Sequence, residues 1–151
     1  MIRAALVFAI FIAPFAQALD SSEQAIVSSI TQGRDDALTL LENTVNVNSG
    51  TMNFSGVKAV GAMFASEFEA LGFDTEWVDG AAFDRAGHLT ASYGSTGPRL
   101  LLIGHLDTVF ATDSPFQKYH LLDGNRASGP GTTDMKGGNV CLLYTSDAAD
   151  E

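Results

Sequence analysis

The chain is predicted to be an α/β protein, and three observations carry that expectation. Two stretches with helical apolar spacing precede a group of strand-like stretches. A continuous apolar run, Leu100-Leu101-Leu102-Ile103, has the character of a strand buried on both faces. A glycine-rich loop, Gly129 to Gly138, stands ahead of a further helix. No internal repeat, low-complexity tract or interdomain linker breaks the order, and 151 residues suit one domain.

From the N-terminus, Met1-Ile2-Arg3 is a short positive region and Ala4 to Phe15 an apolar one, followed by Ala16-Gln17-Ala18, a small-x-small cleavage pattern. The apolar run is shorter than the ~20 residues a membrane span needs. Residues 1–18 are therefore expected to be a signal peptide, with the mature protein periplasmic or secreted. Asp20-Ser21-Ser22-Glu23 is a capped helix start. The apolar positions Ile26, Ile30, Ala37, Leu40 and Leu41 follow at loosely helical spacing, interrupted by Gly33, which allows one bent helix or two short ones ending around Asn43 to Val45. After a turn-rich loop, a helix from Ser55 to Leu71 carries the stripe Val57, Val60, Met63, Phe64, Phe68 and Leu71, with Gly72 as its C-cap. Strands are expected at Phe73–Val78, His88–Tyr93 and Arg99–Val109, a polar loop after that, and a helix beginning after Gly138.

Apolar residues at 46% and aromatics at 9% are enough for a packed core, so the chain is not of the disordered class. A net charge of −10 without a basic patch excludes nucleic acid and anionic membrane as partners.

Two motifs can carry chemistry. In Gly104-His105-Leu106-Asp107-Thr108, residues i and i+2 of a strand share a face, so His105 and Asp107 would emerge together. Imidazole is a zinc ligand, and a ligating histidine commonly gives its other ring N–H to a carboxylate or carbonyl. Taken alone, a structural His–Asp pair is the commoner meaning of that spacing. In Gly129-Pro130-Gly131-Thr132-Thr133-Asp134-Met135-Lys136-Gly137-Gly138, glycines free the backbone around Asp134, whose two oxygens could bridge two metal ions. The G-x-x-x-x-G-K-[ST] order of a phosphate-cradling loop is absent, and a plain surface turn is the alternative. His88 and His120 are expected to be ordinary strand-edge and loop residues, and Trp77 and the phenylalanines packing groups.

Together, GHLDTV and GPGTTDMKGG resemble the zinc-dependent carboxypeptidase and deacylase family: glutamate carboxypeptidase, acetylornithine deacetylase, succinyl-diaminopimelate desuccinylase and aminoacylase. Weaker likeness runs through LLENTVNVNSGTMNFSGV and EFEALGF, looks closest to the glutamate carboxypeptidase branch, and covers Ser22 to Val140. The resemblance implies that residues 19–140 are the N-terminal part of a zinc-peptidase catalytic domain, a mixed sheet flanked by helices. It implies His105 and Asp134 as metal ligands, Asp134 bridging two zinc ions, and Asp107 as the catalytic-site residue that holds and polarises His105. It further implies a cis peptide beside Asp134, a small peptide or N-acyl amino acid as substrate, and a homodimer formed through a further domain. The family's Glu-Glu pair, later acidic ligand and distal histidine have no counterpart in this chain. Two activities stay open, carboxypeptidase and N-acyl amino acid deacylase, beside a third reading in which the 151-residue chain is a catalytically inactive truncated piece.

Residues 141–151, CLLYTSDAADE, do not continue an amphipathic pattern and resemble the translation of a sequencing-library transposase adapter. They are expected to be read-through, not native protein. On that reading Cys141 carries no redox meaning, and Asp147, Asp150 and Glu151 leave the acidic count. Codons that differ from the adapter would remove this expectation.

Overall fold

A computed structural model describes residues 19–147. The export segment expected at 1–18 and the last four residues of the suspected read-through lie outside the described residues.

Helix α1 (Ser21–Gln32) starts as the sequence indicates. The Asp20 carboxylate accepts from the Glu23 N–H, and Glu23 accepts from the Asp20 N–H, forming a capping box. This helix buries no side chain, so its local caps matter more than packing. Gly33 ends α1 and begins α2 (Arg34–Asn46), so the interrupted stretch is two helices. Asp35 and Asp36 sit at the positive end of the α2 dipole, while Leu40, Thr44 and Val45 turn inward. Helix α3 (Phe54–Ala70) is capped by the Asn53 side chain and buries Val57, Val60 and Phe64. It ends at Leu71, with Gly72 at φ +81°, a torsion that costs glycine nothing.

Strands β1 (Asp74–Asp79) and β2 (Gly87–Ser92) form an antiparallel hairpin with Trp77 opposite Leu89. Helix α3 lies across this hairpin. A Cβ on Gly61 would come within 2.5 Å of the Trp77 ring, so glycine is what admits the indole. A second antiparallel hairpin, β3 (His120–Asp123) and β4 (Arg126–Ser128), precedes α4 (Lys136–Asp147). The core is one cluster of Leu40, Val60, Phe64, Val140 and Leu143, with Ala37, Leu41, Phe68, Leu89, Leu106 and Tyr144 around it. Among the described residues no helix is long and apolar enough to cross a membrane.

The mixed helix-and-sheet class stands, but the expected strand Arg99–Val109 does not. Among the described residues, 99–107 form no ladder, and a parallel bridge joins Thr108 to Gly50. The run expected to be buried on both faces lies open to solvent, with Leu100 at 84%, Leu101 at 80% and Ile103 at 81% exposure. A strand needs a partner for its N–H and C=O groups. β2 pairs with β1, and the loop through Gly94, Gly97 (both at positive φ) and Pro98 carries the chain away from β2. A cleft of about 870 Å³ opens there, lined by Phe64, Leu89, Tyr93, Leu101 and Leu106 among others. The loop expected after Val109 holds the β3–β4 hairpin instead, with His120 opening β3. α4 starts at Lys136, immediately ahead of the Gly137-Gly138 pair, and runs to Asp147 because Leu143 is buried and Tyr144 packs beside Gly33.

Candidate metal centre

Two walls of backbone bring His105 and Asp134 together. The first is residues 106–108 stitched to the loop before α3. The Thr108 N–H donates to Ser49 O (2.8 Å), the Thr51 N–H to Thr108 O (3.0 Å), and the buried Ser49 hydroxyl to Leu106 O (2.9 Å). Asn48 anchors that loop in turn. Its amide donates to Gln117 Oε1 (2.7 Å) and Phe110 O (3.1 Å), while its own oxygen accepts from Asn53 Nδ2 (3.0 Å). His105 is the residue immediately before this stitched segment.

The second wall is the glycine-rich loop and the start of α4. Gly131 takes φ +83°, and the Asp134–Met135 peptide is cis, as the resemblance implies. Lys136 is fully buried; its ammonium donates to Thr44 O (2.8 Å) and Val47 O (3.1 Å) at the end of α2. Burial pushes the Lys136 pKa down to about 8. One turn on, Asn139 donates from Nδ2 to His105 O at 2.8 Å.

Between the walls, His105 Nε2 lies 2.9 Å from Asp134 Oδ1. The Nδ1 side meets Asp107 twice, at 2.9 Å from its backbone oxygen and 3.3 Å from its carboxylate. The sequence expectation had the Asp107 carboxylate as the orienting group, through strand alternation. Here no strand is present, the nearer acceptor is the Asp107 carbonyl, and the carboxylate accepts from the Thr51 hydroxyl at 2.5 Å. The effect on the ring is equivalent: Nδ1–H is held by an acceptor, which turns Nε2 toward Asp134.

That arrangement has a chemical consequence. With acceptors at both ring nitrogens, a neutral imidazole has one proton too few to satisfy them. The ring is satisfied as imidazolium, and the hydrogen bond to Asp134 is the main reason its pKa rises above the ordinary 6.5, with burial opposing and Asp107 adding to the rise. A cation held between Nε2 and the carboxylate would meet the same need. Nitrogen and oxygen donors suit zinc, and both side chains are open to solvent. The fit covers two donors only, since no group of three or more His, Cys, Asp or Glu among the described residues could hold a metal ion.

His88 and His120 lie exposed on β2 and β3. Trp77 packs, as expected, on Gly61 and Gly87. Thr51, Ser49, Asn48 and Asn139 were not legible as site residues, because nothing local to them marks chemistry; they act on backbone far away in sequence. Lys136 had a signal, a lysine inside the glycine-rich motif, but the motif suggested a phosphate loop that the order then excluded.

No family model matches the chain. It is 29% identical to carboxypeptidase G2 of Pseudomonas sp. (strain RS-16) over 124 residues, which is 82% of this chain and 30% of that protein. It is 37% identical to the succinyl-diaminopimelate desuccinylases of Rickettsia bellii strains OSU 85-389 and RML369-C over 82 residues, 50% of this chain and 20% of theirs. The chain thus spans less than a third of the length of these relatives. Over the matched residues, the chain is similar to a carboxypeptidase and to desuccinylases, the kinds of protein its two motifs resemble.

Proposed function

We propose that this chain supplies one wall of a two-zinc site in an exported hydrolase that cleaves an amide bond at the C-terminal end of a small peptide. The single observation that carries the proposal is His105 Nε2 at 2.9 Å from Asp134 Oδ1, with Nδ1 already committed to Asp107. His105 and Asp134 would hold metal, and Asp107 fixes the tautomer that leaves Nε2 available. When bound, paired zinc ions would lower the pKa of water and polarise the scissile carbonyl. The chain's own residues orient the ring, keep a carboxylate facing it, and hold both on backbone anchored to α2 and to the loop before α3. Export rests on the Met1 to Ala18 pattern alone. The remaining ligands and the general base would come from residues outside these 151.

A second reading, an N-acyl amino acid deacylase, is favoured by the higher identity to the desuccinylases, although over fewer residues. The two readings share the site and differ in substrate.

The test is a longer polypeptide, obtained by recovering the gene downstream of codon 140, purified with zinc and offered both an N-acyl amino acid and a peptide ending in glutamate. Hydrolysis of either, lost in His105→Ala and Asp134→Asn, is the expected result. A zinc-loaded longer polypeptide whose turnover survives both substitutions would refute the assignment.

A further inference from the structure

We propose that Lys136 and Asn139 form a two-point clamp that positions Asp134 against His105. The clamp is an α4 device. Lys136 and Asn139 are three residues apart, so both project from one helix face. Lys136 reaches down to the last turn of α2, where its ammonium takes Thr44 O and Val47 O at 2.8 and 3.1 Å. Thr44 O also accepts from the Val47 N–H (3.3 Å), so the ammonium is a second donor at this helix end, and α2 has no basic residue of its own in its last turn. Asn139 takes His105 O at 2.8 Å. One end of the clamp therefore fixes the loop that carries Asp134, two residues before Lys136, and the other fixes the backbone of His105.

The surroundings are shaped for both reaches. A Cβ on Gly104 would come within 2.4 Å of the Asn139 oxygen, and one on Gly131 within 3.0 Å of the Lys136 stem. Packing alone does not account for a lysine here, since methionine or leucine fills the same space without the cost of burying an ammonium. Two directional hydrogen bonds set where the loop stands, which an apolar side chain cannot do.

This inference deepens the reading of His105 and Asp134 as a working pair and rests on it. Its test is made without metal, so that failure of zinc to bind leaves it unaffected. The whole chain, labelled with ¹⁵N-histidine, is observed by NMR at fixed pH. Asp134→Asn is expected to move the His105 ring resonances in the native background. In a Lys136→Met background the same substitution is expected to move them by less than half as much, and Lys136→Arg to restore the response. Dispersed Trp77 and β1–β2 resonances identify folded variants. An equal response to Asp134→Asn with and without Lys136 would overturn the proposal. Should Lys136→Met unfold the chain, Asn139→Leu, which leaves Lys136 in place, carries the test: a reduced response supports the clamp and a full one overturns it.

Discussion

At the scale of single residues, His105 is the group whose behaviour follows most directly from its neighbours. The Asp134 carboxylate at Nε2 stabilises the imidazolium, so the folded chain binds this proton more tightly than the unfolded chain. The resulting stabilisation is fully present below the ordinary value of about 6.5 and is lost as pH rises through the raised folded value. Asp134→Asn is expected to bring the His105 pKa down toward 6.5, read from the imidazole resonances across a pH titration. A midpoint that does not move would mean the 2.9 Å contact is not formed in solution. The same proton competes with any cation at Nε2, so metal uptake should release protons and weaken as pH falls.

At the scale of elements, the sequence was most informative where local chemistry decides structure. The capping box at Asp20 and Glu23, the break at Gly33 and the α3 stripe all follow from hydrogen bonding and spacing within a few residues. His105, Asp107 and Asp134 were legible because glycine-rich motifs mark them. What was not legible depends on distant partners. Leu100 to Ile103 reads as a strand by composition, but a strand exists only when another pairs with it, and among the described residues none does. The links from Ser49 to Leu106 and from Lys136 to Thr44 were invisible for the same reason. An exposed, unpaired apolar run is a template for association between chains. Leu101→Lys and Ile103→Lys are therefore expected to reduce self-association of the chain in light scattering. The folded core should be little affected, since surface changes cost within about 0.5 kcal/mol. Unchanged association in both variants would show that this run is not the contact surface.

At the scale of the whole molecule, one small core holds three helices and a hairpin in place, and the site is built between its loops. The joint between α2 and α4 serves the core through Leu40, Val140 and Leu143 and serves the site through Lys136. His105 and Asp134, as the two proposed metal ligands, would hold a metal ion weakly without further partners, because affinity grows with ligand count and with a site already formed by folding. The 151-residue chain with zinc is accordingly expected to show no hydrolysis of peptides or N-acyl amino acids in an end-point assay. Turnover by this chain would mean that the described residues already make a complete site.

The central claim is that His105 and Asp134 share a cation, and the most direct measurement follows the His105 ring by NMR as zinc is added to the native chain and to Asp134→Asn. The expected result is that His105 Nε2 responds to zinc in the native chain, and that Asp134→Asn needs about tenfold more metal for the same response, roughly 1.4 kcal/mol. A His105 resonance that ignores zinc, or one that responds identically without the Asp134 carboxylate, would contradict it.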